Sequence, residues 1–202
     1  MQNRFLGTIF LLIMLSACSQ TAKTSLPVET LQPTSAVILT ETLATSISTG
    51  ACPTETADLK LFTNTKDGYC LLYPAENTIL PPALIVINPT GLPGDMPGDA
   101  WVQISVEDAL GLTAAQVADQ KIAEVGEGFN ITHSEILIDG KQAVVVDGLP
   151  GQDAWRGVFI VDNNHLYTIS FMPWDPNADG FSQLENLYSS VIDSFHFLPP
   201  TP

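Results

Sequence analysis

Residues 131–172 read ITHSEILIDGKQAVVVDGLPGQDAWRGVFIVDNNHLYTISFM, and this stretch decides the fold. Ile131 to Ile138 and Lys141 to Asp147, each rich in β-branched residues, are separated only by Asp139-Gly140. A two-residue connection of that kind tolerates positive φ at both positions and signals a tight hairpin. Ala154 to Asp162 and His165 to Met172 repeat the arrangement, joined at Asn163-Asn164. Asparagine also adopts positive φ readily, so a second hairpin is expected. Gly148-Leu-Pro-Gly151 turns the chain between the two. The stretch therefore reads as an antiparallel meander.

The flanks supply the rest of the domain. Thr113-Ala-Ala-Gln116 fits a helix-start capping box, and Ala114, Val117, Ala118, Ile122 and Val125 then fall on one helical face. Gly126 and Gly128 end that helix. Ser182-Gln-Leu-Glu185 fits a second capping box, ahead of a face made by Leu184, Leu187, Tyr188, Val191 and Ile192. Phe195 and Phe197 close the domain before Pro199. Upstream, Leu59 to Thr63, Gly68 to Tyr73, Leu84 to Asn88 and Trp101 to Val106 read as strands. Pro89 to Asp99, with Gly91, Pro93, Gly94, Pro97 and Gly98, reads as a loop. The expectation is an α+β domain. Its antiparallel sheet is covered by two amphipathic helices, in two layers or three.

The order of these elements also carries a resemblance. Gly68, Tyr69, Tyr73 and Pro74 open it, and a middle helix follows. Then come the hairpin Ile138 to Ala143, the strand ending Tyr167 to Phe171, and a last helix closing on Ser194-Phe195-His196-Phe197. Over about residues 55–198 this pattern resembles the PsbP and Mog1-like group of domains, which includes bacterial surface lipoproteins. The resemblance implies an accessory or binding protein that assembles with a larger partner. It implies no catalytic residues. Cys70 in the opening strand and the Pro/Gly-rich insertion at 89–99 are additions to the pattern.

The N-terminus reads as an address. Arg4 precedes an apolar run from Phe5 to Leu15, too short for a stable membrane-spanning helix. The run ends in Leu15-Ser16-Ala17-Cys18, which resembles the lipobox of bacterial lipoproteins. The resemblance implies cleavage after Ala17 and lipidation of Cys18. An ordinary secretory signal cut at Ala17 and an uncleaved anchor are the alternatives. Residues 1–17 are then a signal peptide, and 18–50 a lipidated cysteine and a disordered Ser/Thr-rich linker. Residues 51–198 form the α+β domain, and 199–202 a Pro-rich tail. With Cys18 lipidated, Cys52 and Cys70 remain, and in an oxidising compartment they are expected to pair. Two buried thiols or a redox pair are the alternatives, although no Cys-x-x-Cys spacing supports the latter.

Composition bounds the function. The chain has 202 residues, enough for one domain with appendages. Seven Lys and Arg face 22 Asp and Glu, a formal charge of −15 that argues against nucleic acid or anionic lipid as a partner. Membrane attachment must therefore come from lipid on Cys18, because no polybasic segment exists to help.

Motifs for chemistry are few. His133, His165 and His196 lack metal-ligand spacing, and no Gly-x-Ser-x-Gly occurs. Asp175, Asn177, Asp179 and Gly180 match the first half of a calcium loop, where oxygen ligands alternate. Position 12 of that motif is Asn186 rather than Glu, so a loop leading into a capped helix is the competing reading. Asp95 and Asp99 mark the 89–99 loop as a second candidate binding region. Trp155 and Trp174 read as core or lid residues, or as an apolar contact surface. Arg156 stands among Asp147, Asp153 and Asp162, as a surface ion pair or as an anchor for an anionic partner. The expected protein is extracytoplasmic, at the cell surface or in the periplasm. It is a lipid-anchored accessory or binding protein with a protein partner, no cofactor and no catalysis. A calcium or small-ligand carrier is the second expectation, and a hydrolase of unrecognised type the third.

Overall fold

The computed structural model describes residues 51–87 and 99–199. The lipobox with Cys18, the 18–50 linker, Asp95 and most of the 89–99 loop lie outside the described residues. Among those described, no helix is long and apolar enough to cross a membrane.

Among the described residues, ten strands form two antiparallel sheets, and two helices pack on them. The small sheet has β1 (Leu59–Asn64), β2 (Tyr69–Pro74) and β10 (His196–Phe197), with β2 central. The large sheet takes β3 (Thr78–Leu80), β4 (Leu84–Ile87), β5 (Ala100–Asp108), β6 (Thr132–Ile138), β7 (Lys141–Leu149), β8 (Trp155–Asp162) and β9 (His165–Met172). Their order across the sheet is β3-β4-β5-β9-β8-β7-β6. The α+β class and the meander agree with the sequence. The single sheet does not: β1 and β2 separate from it because β2 pairs with β10, more than a hundred residues away in the chain.

The hairpins form where the turn chemistry put them. Asp139 and Gly140 have φ of 48° and 75°, and Asn163 and Asn164 have 48° and 63°. Gly148 does not end its strand. It sits in an irregularity of β7 between Val146 and Leu149, at φ 80°, with the Asn130 carbonyl where a Cβ would stand.

Side-chain alternation divides the large sheet into two apolar faces. Ala143, Val145, Val158, Ile160 and Ile169 join one core with Leu184, Leu187 and Val191. Val144, Val146 and Phe159 join the other with Ala114, Val117 and Ala118. Helix α1 (Ala114–Val125) therefore packs on β7 and β8 from one side. Helix α2 (Phe181–Ser194) and the small sheet occupy the opposite side. Gly157 of β8 leaves room for the side chains packed around it on the α1 side. A Cβ there would lie 2.9 Å from the Trp155 ring and 3.0 Å from both Leu149 and Phe159.

The first capping box is present in full. Thr113 Oγ1 accepts from Gln116 N at 3.2 Å, and Thr113 N donates to Gln116 Oε1 at 2.9 Å. The second is absent. Gly180, at φ 85°, turns the chain into α2 ahead of Ser182, which then lies inside the first turn and caps nothing. Phe181 takes the entry position because its ring packs on Trp174 at 5.1 Å. At the far end of α2, Ser194 Oγ accepts from Leu72 N at 2.8 Å and ties the helix to the small sheet.

Candidate functional site

One end of the molecule carries a cleft of about 460 Å³. It lies between the β1–β2 turn (Thr65 to Gly68), the β8–β9 turn (Asp162 to His165), the end of β5 (Val106 to Asp108) and the exit at Leu198 and Pro199. Its walls are locked by short-range hydrogen bonds. Asn64 Nδ2 donates to Asp67 Oδ2 at 2.8 Å, and Asp67 N donates to Asn64 Oδ1 at 3.0 Å. Opposite, Asn164 Nδ2 and Leu110 N both donate to Asp108 Oδ1, at 2.8 and 2.7 Å. Lys141 Nζ lies 2.6 Å from Asp162 Oδ1, which holds its ammonium above the usual lysine range. Tyr167 stands at the base, 5% exposed, and its hydroxyl donates to the Asp67 carbonyl at 3.0 Å. Burial pushes that phenol up, so it remains a neutral donor at physiological pH.

Four carboxylates (Asp67, Glu107, Asp108 and Asp162) and one lysine (Lys66) line the cleft. With Asp162 already paired to Lys141, Asp67, Glu107 and Asp108 still outweigh Lys66, and the preorganised lining suits a cationic or hydrogen-bond-donating group. As a group these residues escape a local reading, because they come from three separate segments: the β1–β2 turn, the end of β5 and the β8–β9 turn. Only the topology brings residues 65–68 to residues 162–165.

The sites singled out in the sequence fare differently. Cys52 and Cys70 are joined in a disulfide, with their Cα atoms 5.8 Å apart. Asp175 Oδ1 accepts from Asn177 N at 2.9 Å and from Asn177 Nδ2 at 3.0 Å, and Asp175 O accepts from Ala178 N at 2.9 Å. This carboxylate closes a turn. Among the described residues no three His, Cys, Asp or Glu side chains gather to hold a metal ion. Asp99 is buried, 5% exposed, immediately ahead of β5.

Arg156 is neither a loose surface ion pair nor an open anion site. Its Nε and Nη2 donate to Asp147 Oδ1 and Oδ2 at 2.6 and 2.8 Å, choosing that partner from its three acidic neighbours. The guanidinium lies 3.7 Å from the centre of the Trp174 ring and 4.6 Å from that of Tyr188. It joins the sheet to α2 and to the 174–180 turn. Trp155 packs beside the α1 core, with Nε1 donating to Pro150 O at 3.1 Å.

His133 and His165 are exposed. His196 is the exception, 2.9 Å from Asp139 across two sheets. Alternation of His196 between Phe195 and Phe197 places it on the opposite side of its strand. Nothing local in the sequence names its partner.

No family model matches the chain, and no curated protein matches it. Solved structures similar to it include the solution structure of cyanobacterial PsbP from Synechocystis sp. PCC 6803. That protein is 18% identical with a TM-score of 0.42, over 74% of this chain and 98% of that one. A second is the crystal structure of a Pseudomonas aeruginosa protein of unknown function. It is 19% identical with a TM-score of 0.44, over 71% of this chain and 98% of that one.

Proposed function

We propose that the chain is an extracytoplasmic, lipid-anchored accessory domain of the PsbP/Mog1-like type, acting by contact with a protein partner. The observation that carries this reading is Leu15-Ser16-Ala17-Cys18 in register behind Arg4 and the apolar run. The Cys52–Cys70 disulfide supports it, because such bonds persist in oxidising compartments. Lipid on Cys18 supplies the attachment, with two or more acyl chains giving a stable hold. The cleft at Asp67, Glu107, Asp108 and Asp162 receives a cationic group of the partner. The reading assigns the chain no catalytic residue.

Mass spectrometry of the full chain expressed in a bacterium tests the anchor. The mature product is expected to begin at Cys18 with diacylglycerol on the sulfur and to stay with membranes through a salt wash. Cys18→Ser is expected to retain Met1 and the leader. An unmodified thiol at Cys18 overturns the anchor. In-cell crosslinking tests the contact site. Glu107→Lys is expected to lose a partner that Glu185→Lys retains, and equal recovery with both variants counts against the cleft.

A further inference from the structure

The large sheet has two edges of opposite character. At one, β3 is three residues long and runs into Pro81-Pro82, so the edge is short and poor in donors. At the other, β6 offers seven residues without proline, lysine or bulge, in unbroken register with β7. Among the described residues no strand pairs with its outer side. Thr132, His133, Ser134 and Glu135 are exposed, and Leu137 is 74% exposed. An unguarded edge of this kind is a template for another strand.

The sequence of the edge says which strand. Antiparallel pairing of β6 with a copy of itself about a two-fold axis at Ser134 sets His133 opposite Glu135 and Ile131 opposite Leu137 on one face. Thr132 then meets Ile136 on the other face. His133 with Glu135 pairs base with acid, Glu135 also accepting from Gln142 Nε2 at 2.8 Å, and Ile131, just ahead of β6, with Leu137 pairs apolar with apolar; Thr132 with Ile136 sets two β-branched side chains together. An axis at Glu135 would instead oppose two carboxylates and set Leu137 against His133. An axis at His133 would set Glu135 against Ile131, and one at Ile136 would set Glu135 against Leu137. Axes between residues are excluded, because antiparallel partners must present their hydrogen-bonding groups in the same phase.

We propose that the protein self-associates edge to edge through β6, with the two-fold axis at Ser134, joining two large sheets into one continuous sheet. The occupant of the edge is a second copy of this chain. The formal charge of −15 on each copy opposes approach, but charges beyond about 8 Å are largely screened at physiological ionic strength. The contact is local and small, at the low end of specific interfaces, so it forms and dissolves readily.

Cysteines introduced one at a time into the full chain, with Cys18 lipidated and Cys52–Cys70 intact, test the register under mild oxidation. Ser134→Cys is expected to crosslink to itself about tenfold more than Glu135→Cys or Leu137→Cys, because disulfide formation requires closely opposed Cβ atoms. Two chains carrying His133→Cys and Glu135→Cys are expected to crosslink to each other more than either does to itself. Leu137→Lys added to Ser134→Cys is expected to reduce the dimer band while circular dichroism stays unchanged. Equal crosslinking at all positions, a maximum at a position other than 134, or no covalent dimer overturns the proposal. Occupation of the edge by a different extended partner gives the last of these results.

Discussion

Asp139 Oδ1 lies 2.9 Å from His196 Nδ1, while Asp139 Oδ2 accepts from Phe197 N at 3.0 Å. One carboxylate in the β6–β7 turn thus clamps β10, the last strand, which belongs to the other sheet. Asp139 also occupies positive φ, a position that Asn tolerates and Ala does not.

Asp139→Asn is therefore expected to keep the turn and lose about 1 kcal/mol, through weakened hydrogen bonds. Asp139→Ala is expected to lose about 2–3 kcal/mol, adding backbone strain to two missing bonds. Urea titration at neutral pH separates the two variants. Equal stability of Asp139→Ala and the parent would remove the clamp from the account.

Arg156 joins Asp147, Trp174 and Tyr188, and its planar fork serves both the carboxylate and the rings. Arg156→Lys keeps the charge but loses the paired hydrogen bonds and the stacking, an expected loss of about 1–2 kcal/mol. Arg156→Ala is expected to cost about 2–3 kcal/mol. This is less than a fully buried pair would lose, since the side chains of Arg156 and Asp147 are 18% and 31% exposed. Denaturation of both variants, followed by tryptophan fluorescence, checks the order. A lysine variant as stable as the parent would count against it.

The two helix starts make a paired prediction. Thr113→Ala removes a cap that the structure contains and is expected to destabilise by about 1 kcal/mol. Ser182→Ala removes nothing structural and is expected to stay within about 0.5 kcal/mol. Thermal unfolding of both variants decides, and the reverse ranking would restore the capping box that the sequence suggested.

Tyr69 is fully buried, and its phenol is pushed up to about 12 by desolvation, against a weak lowering by the Asn64 hydrogen bond. The folded state therefore favours the neutral phenol. That contribution is fully present below the ordinary value of 10.0 and is lost as pH rises from there towards 12. The expected loss is about 1.4 kcal/mol per pH unit across that window. Tyr69→Phe should move alkaline unfolding to higher pH, read as phenolate absorbance together with near-ultraviolet circular dichroism. An unchanged alkaline midpoint in the variant would contradict the assignment.

What could be read from the sequence was local. Asp139-Gly140 and Asn163-Asn164 announced their hairpins because the required backbone conformations are properties of those residues. Thr113 with Gln116 announced a helix start for the same reason. Ser182 with Glu185 carries a matching pattern, yet Gly180 and the Phe181–Trp174 contact won. β3 was missed because three residues before two prolines carry no usable period. The partition into two sheets, the Asp139–His196 contact and the cleft were not legible, since each unites residues far apart in the chain, 57 positions for Asp139 and His196 and more than a hundred for β2 and β10. Asp175 shows how one spacing can serve two purposes. The ligand-like spacing of Asp175 and Asn177 is also that of a turn, in which the carboxylate accepts from Asn177 N and Nδ2.

The Cys52–Cys70 bond has a mechanical consequence. Tension on the chain ahead of Cys52 passes through sulfur into Cys70, in the central strand of the small sheet. The stretch from Pro53 to Tyr69, with all of β1 inside it, is spared the pull. Force enters the domain at β2, where strands on both sides and Ser194 of α2 share the strain. A tug from upstream thus meets the middle of a braced structure rather than peeling it from its first strand.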